Sequence, residues 1–347
     1  MRCITDLDPK ELSDFLLSIG QPSYRSRQIH HWIYQEGIDS FDLMLNLPKE
    51  LRTELKASFC VSFVQIEDVY TSKDGTRKFL FRLNDGAMIE TVAIKDKGRI
   101  TLCLSTQVGC RQGCSFCVTG KIGFKRSLRH YEISDQVLWV SRRLNPNRIT
   151  HVVLMGMGEP LDNYSQTIRA VKTLVDPDRI GLLPRRITLS TVGFVPEIER
   201  LGKEDLGIKL AISLNAPSDK IRDALMPVNR RYPLSALIPS LLEYPLPPRQ
   251  KITLEYCLIR GINDSSQCAG ALTSLLKPIK GRVKVNLIPY NENPVLPFRT
   301  VSNESLERFQ MCLVEKGFLA FIRKSKGGDI LAACGQLGYR SQEKKGL

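Results

Sequence analysis

The sequence predicts an α/β protein with a parallel core, preceded by a small helical part. Three observations carry this prediction. Apolar residues recur with helical spacing in 1–59, and strict alternation replaces that spacing after residue 60. From residue 96, short β-rich runs alternate with longer helical stretches. With 347 residues, 42% of them hydrophobic, the chain can bury one large core and a smaller attached one.

The first helix is expected over "DPKELSDFLLSIG" (8–20). Asp8 can cap it, Pro9 suits the first turn and Glu11 completes a capping box. Leu12, Phe15, Leu16 and Ile19 form its apolar face, and Gly20 ends it. A second helix in "YRSRQIHHWIYQEG" places Ile29, Trp32 and Ile33 together, and a third follows in "LPKELRTELKASF". Then "RKFLFRL" alternates, with Phe79, Phe81 and Leu83 on one side and Lys78 and Arg82 on the other. "NDG" turns the chain, and "AMIETVAI" returns as the partner strand.

Core strands are expected at "ITLCLST", "ITHVVLM", "RITLSTV", "IKLAISL", "ITLEYCL" and "VKVNLI", with "AFIR" as one more. Helical stretches such as "YEISDQVLWVSRRL" separate most of them. About six parallel strands fit either an incomplete barrel or a doubly wound sheet. The expected divisions are a helical accessory domain (1–59), a β-extension (60–95), the core (96–333) and a C-terminal segment (334–347), which ends in the charged tail "SQEKKGL".

The formal charge of +14 is uneven: residues 1–59 carry −2 and the remainder +16. A basic excess on the larger part is the expected footprint of a nucleic-acid surface, although solubility alone accounts for charge as well. No apolar run is long enough to span a membrane, and the N-terminus has no apolar export region. A cytoplasmic protein is expected. Ten cysteines in such a chain point to metal binding or thiol chemistry rather than a disulfide framework.

Three of those cysteines lie in "GCRQGCSFCVTG": Cys110, Cys114 and Cys117, spaced C-x-x-x-C-x-x-C after the first core strand. The C-terminal ends of parallel strands are where α/β barrels place their chemistry. Thiolates select zinc, copper(I) or iron–sulfur clusters. A zinc site needs a fourth ligand, and none of the four histidines has a metal-ligand spacing. A zinc knuckle would borrow a distant cysteine. A [4Fe–4S] cluster on three cysteines leaves one iron open for a substrate.

Other strand ends carry polar groups. "VVLMGMGEP" ends in a glycine turn where Gly158 allows close backbone approach and Glu159 can pair with an ammonium group. Ser190 closes "TLS", Ser213, Leu214 and Asn215 close "AISLN", and Asn291 follows "NLIPY". Each is unremarked alone, since small polar residues are common in such loops. Together they would suffice for ribose, adenine and a carboxylate. Glu90 shares its strand face with Met88, Val92 and Ile94, so its carboxylate must be paired or sit in a cavity. The basic residues Lys121, Lys125, Arg126 and Arg129 follow the cysteine loop, and Arg185, Arg186, Arg230 and Arg231 are further candidates for phosphate.

"TLCLSTQVGCRQGCSFCVTG", "VVLMGMGEPLDN", "RRITLSTVGFVP", "LAISLNAP", "LMPVNRRYP" and "DILAACGQLG" together resemble the RlmN/Cfr family of radical S-adenosylmethionine (SAM) RNA adenosine methyltransferases, over nearly the whole chain. The resemblance implies a partial (βα)6 TIM-like barrel holding one [4Fe–4S] cluster on Cys110, Cys114 and Cys117. It implies SAM, two per turnover, bound by Gly158, Glu159, Ser190, Ser213, Leu214, Asn215 and Asn291. Family members methylate a protein cysteine, and a 5′-deoxyadenosyl radical then activates that S-methyl group for addition to the base. On this sequence the methyl carrier is Cys334, Glu90 is the proton acceptor, and Cys103 resolves the adduct through a transient disulfide.

The implied substrates are an adenosine of 23S rRNA at the peptidyl-transferase centre and the adenosine beside the tRNA anticodon. An electron donor such as flavodoxin or ferredoxin and a monomeric state are expected too. Asn215 stands where many members have His. "CVTGKIGFKRSL" is similar to the C8-methylating branch, whereas "MGMGEP" and "SLNAP" are closer to the C2 branch, and C2 is the expectation. The readings from other classes are a radical SAM enzyme acting on a small molecule and a non-catalytic RNA-binding module.

Overall fold

The computed structural model describes residues 2–144 and 148–339. Its frame is one ten-stranded sheet whose spatial order follows chain order. We label the strands β1 (Gln65–Thr71), β2 (Arg77–Arg82), β3 (Met88–Asp96), β4 (Arg99–Cys103), β5 (His151–Leu154), β6 (Ile187–Thr191), β7 (Lys209–Ser213), β8 (Ile252–Leu258), β9 (Val283–Pro289) and β10 (Ala320–Ile322). β1 to β4 pair antiparallel, and β4 to β10 pair parallel through helical crossovers.

The core is therefore α/β and open, with β1 and β10 at its edges. All six strands expected for the core are present, and "AFIR" supplies the seventh. Long apolar runs such as "ITLEYCL" form parallel strands because crossover helices cover their faces. Leu254, Tyr256 and Leu258 are wholly buried.

At the N-terminus, helix Pro9–Ser18 starts as its capping box dictates. Glu11 N donates to Asp8 Oδ1 and Asp8 N to Glu11 Oε2, both at 2.8 Å. Leu12, Leu16, Ile29, Ile33, Leu51 and Leu55 form a separate small core. The second helix departs from expectation: it is α-helical only over Arg25–His30 and continues as a π-turn over His31–Gln35. That widened turn buries Tyr34 beside Ile33 and leaves Trp32 half-buried.

The β2–β3 hairpin forms as predicted, with Arg82 opposite Met88. Its alternation does not translate into one wet face. Lys78 and Leu80 are as fully buried as Phe79 and Phe81, because the segment around Leu331 crosses the second face: Lys78 Nζ donates to Leu331 O at 3.1 Å. The charged tail 341–347 lies outside the described residues.

Candidate active site

The cysteine loop is the link of a short hairpin, Gln107–Gly109 with Phe124–Ser127, beyond the C-terminal end of β4. Gly109 makes this possible. Its φ is +76°, and an added Cβ would lie 1.7 Å from Gly123 O. Cys110 N donates to that same carbonyl at 3.0 Å, and Cys117 N to Cys114 O at 3.1 Å. Helix Val118–Ile122 follows.

Cys114 is buried, and Cys110 and Cys117 are half-buried. Burial pushes all three thiols up, Cys110 to about 12, and their mutual repulsion adds to the shift: Cys114 feels both neighbours and Cys110 feels Cys117. Three desolvated thiols that stay neutral on their own would ionise together only around a cationic centre. Among the described residues no group of three or more His, Cys, Asp and Glu could hold a metal ion. A four-iron cluster makes a different demand, since each thiolate binds its own iron.

The segment carrying Cys334 docks onto this loop. Val118 N donates to Gly335 O at 2.8 Å and Thr119 Oγ1 to Leu337 O at 2.7 Å. Asn291 Nδ2 donates to Cys334 O at 3.1 Å, and Gln336 Nε2 to Glu292 O at 2.7 Å. Cys334 is exposed, yet its thiol is pushed up to about 11 by desolvation, then by Glu255 and Cys117. Cys103, buried at the end of β4, is pushed well above the thiol range by desolvation and then by Cys334. The influence of Cys334 thus reaches a thiol 231 positions away in the chain.

Glu159 is buried at the end of β5. Its Oε1 accepts from Leu161 N at 3.0 Å and its Oε2 from Val192 N at 2.9 Å. Desolvation raises it from 4.5 to about 7, against the pull of those hydrogen bonds. Gly158 has a φ of +101°, and the approach it permits is to Gln107: an added Cβ would lie 2.5 Å from Gln107 Cβ. The neighbouring Glu159 N donates to Gln107 Oε1 at 3.0 Å.

Ser190 and Leu214 are buried, and Ser213 is half-buried. Asn215 adopts a left-handed φ of +58° and spends its amide inside the fold. Its Oδ1 accepts from Cys257 N at 2.9 Å and its Nδ2 donates to Met226 Sδ at 3.3 Å.

Glu90 and Lys78 form an ion pair, Nζ to Oε2 3.2 Å, with neither side chain exposed. Pairing, rather than an empty cavity, accommodates this carboxylate. Arg126 is also committed: its guanidinium meets Glu132 at 2.7 Å and Asp85 at 2.6 Å, which removes it from the free phosphate-binding set. Lys121, Lys125, Arg129, Arg230 and Arg231 are exposed. Arg185 and Arg186 are exposed as well, but they precede β6 and so lie at the opposite end of the sheet from the cysteine loop. Two buried bases stand out here: Lys78, expected on the polar side of its strand, and Arg222, wholly buried on helix Asp219–Leu225. Neither carries a pattern signal: Lys78 follows Arg77 in an alternating strand, and Arg222 lies in the charged run "DKIRD", a setting that reads as solvent-facing.

Residues 4–61 match the family model described as "Ribosomal RNA large subunit methyltransferase N-terminal domain", and residues 104–267 match "Radical SAM superfamily". The chain is 47% identical to the dual-specificity RNA methyltransferase RlmN of Syntrophus aciditrophicus, over 99% of this chain and 98% of that protein. It is 46% identical to the RlmN protein of Geobacter sulfurreducens, over 96% and 91%. A crystal structure of a radical SAM methyltransferase from Sphaerobacter thermophilus superimposes with a TM-score of 0.93 at 43% identity, covering 97% of this chain and 99% of that one. Radical SAM proteins use a [4Fe–4S] cluster and SAM, and the three-thiol loop fits such a cluster. The chain belongs to the RlmN family of radical SAM methyltransferases.

Proposed function

We propose that this protein methylates carbon 2 of adenosine in 23S rRNA and in tRNA, with Cys334 as the methyl carrier. The observation that carries the reading is the docking of the Cys334 segment on the three-cysteine loop, through Val118 N to Gly335 O and Thr119 Oγ1 to Leu337 O, beyond the strand that ends in Cys103. The relatives' names, dual-specificity RNA methyltransferases, support RNA as the substrate. The adenine C2 carbon is electron-poor and does not attack a sulfonium methyl, so a polar transfer cannot serve. The cluster and SAM, when bound, supply the methyl group and the one-electron chemistry that activates it.

The protein's own groups do the rest. Cys110, Cys114 and Cys117 hold the cluster. Glu159, with Ser190, Ser213, Leu214, Asn215 and Asn291, lines the strand ends where SAM is held, and Gly158 sets the turn that presents Glu159. Cys334 Sγ carries the methyl as a thioether, flanked by Ala333 and Gly335, which leave the sulfur accessible. Glu90 accepts the proton that the target carbon gives up. Cys103 Sγ then attacks Cys334 Sγ: an S–S bond forms, the S–C bond to the product breaks with its electron pair staying on carbon, and the proton given up by the Cys103 thiol is balanced by the one that completes the methyl group. Lys121, Lys125, Arg129, Arg230 and Arg231 neutralise phosphates, and the target base leaves its stack to reach the site.

The same reading divides the chain into 1–59, 60–95, 96–333 and 334–347. It places a monomer in the cytoplasm with a flavodoxin- or ferredoxin-type electron donor. Among the described residues no helix is long and apolar enough to cross a membrane.

The test is the mass of the Cys334 peptide after anaerobic cluster reconstitution and incubation with SAM, with Cys103→Ala run beside wild type. One added methyl group on Cys334 in both is expected. A cluster-loaded, SAM-bound protein with Cys334 unmodified would overturn the carrier role and favour single-cleavage chemistry on a small molecule. Nucleoside analysis of the RNA product separates C2 from C8.

A further inference from the structure

Arg222 heads the fully buried side chains by volume. Its Nε donates to Leu214 O at 3.1 Å. Nη1 reaches Asn229 Oδ1 at 2.9 Å and Tyr232 O at 3.5 Å, while Nη2 reaches Val192 O at 2.6 Å and Ser213 O at 3.4 Å. All five acceptors are neutral. Asp219 and Asp223 form no ion pair with it; they accept from Asn229 Nδ2 at 2.9 and 2.7 Å, on the far side of that amide. A guanidinium cut off from water without a directly bonded anion is costly, and the fold retains it.

The cysteine loop packs against the same helix. Ser115 N, next to Cys114, donates to Leu225 O at 2.9 Å, so the loop rests on the last turn of the helix that carries Arg222. A cluster on three thiolates carries net negative charge. Its one-electron reduction deepens that charge without taking up a proton.

We infer that Arg222 is a positioning residue for the cluster: its buried charge stabilises the reduced state from the Cys114 side, while its hydrogen bonds fix the strand ends that carry Ser213 and Leu214. This rests on the three-cysteine reading of the site. The same side chain therefore couples the backbone that holds SAM to the ease with which the cluster accepts an electron. A residue acting only as a clamp would alter stability and leave the potential alone.

The test is the midpoint potential of the reconstituted holoenzyme, followed by electron paramagnetic resonance without RNA. Three variants are compared with wild type: Arg222→Met, Arg222→Lys and Asp223→Asn. Arg222→Met should move the reduction equilibrium at least about tenfold against the reduced state, which is ~59 mV for one electron. Arg222→Lys should stay near wild type. Asp223→Asn removes a compensating negative charge but keeps an acceptor for Asn229, so it should move the potential upward. If Arg222→Met cannot hold the cluster, the upward shift of Asp223→Asn decides alone. Cluster-loaded variants that all titrate at the wild-type potential would overturn the inference. A wild-type chain that takes up no cluster overturns the three-cysteine reading and this inference with it.

Discussion

Lys78 Nζ lies 3.2 Å from Glu90 Oε2 on neighbouring strands, and neither side chain reaches solvent. The same ammonium donates to Leu331 O, three residues before Cys334. Replacing one member of a buried pair leaves the other charge uncompensated, at a cost of about 3–5 kcal/mol. Lys78→Met should show that loss in urea unfolding of the apo-protein, together with faster proteolysis near residue 331. The double variant Lys78→Met/Glu90→Leu should recover most of the stability and none of the methylation. A single variant as stable as wild type would show that the pair is not held as described.

Glu159 gives the ligand-free protein a defined pH dependence. Its folded pKa of about 7 lies above the ordinary 4.5, so between these values the folded chain binds more protons than the unfolded one. Its penalty is absent below pH 4.5, grows as pH rises and is complete above pH 7. At ~1.4 kcal/mol per pKa unit it reaches about 3 kcal/mol. The stability advantage of Glu159→Gln over wild type should grow by that amount across this window and then stay flat. A bound ammonium group favours the carboxylate, so SAM should bind with proton release near neutral pH in wild type alone. Calorimetry in buffers of differing ionisation enthalpy reads this directly.

Gly109→Ala should abolish cluster assembly. The added methyl would meet Gly123 O at 1.7 Å in a backbone conformation that alanine resists. Iron content and visible absorbance after reconstitution should fall to background, while Gly113→Ala, with nothing within 4 Å, should lose only what its positive φ costs. Equal iron in Gly109→Ala and wild type would contradict the hairpin geometry.

The basic residues should separate by position. Neutralising Lys121, Lys125, Arg129 or Arg230 should each reduce the slope of log affinity for RNA against log salt by about 1. Arg185→Ala and Arg186→Ala, at the other end of the strands, should leave the slope unchanged. Arg126→Ala should lower stability rather than the slope, because its charge is already spent on Glu132 and Asp85.

The strand–helix rhythm, the capping box at Asp8 and the cysteine loop were legible in the sequence because each is a local pattern. The environments of Lys78 and Arg222 were not. Lys78 sits at an alternating position that predicts solvent, and only the distant segment around Leu331 covers it. Arg222 is held by carbonyls from two strand ends and a turn, a set that no spacing announces. Asn215 and Asn291 lie past the ends of their strands, and the first bonds Cys257 N and the second the carbonyl of Cys334. Which partner a loop amide takes depends on the tertiary fold and not on its own position.

In the sheet every strand lies beside the one that precedes it in the chain, so the frame can grow by adding neighbours in succession. The contacts that seat Cys334 are of another kind, since Lys78 and Leu331 are 253 positions apart. They join the second strand of the row to the segment that follows its last strand. The sheet therefore rests on pairings between chain neighbours, whereas the seat of Cys334 draws on both ends of the frame at once.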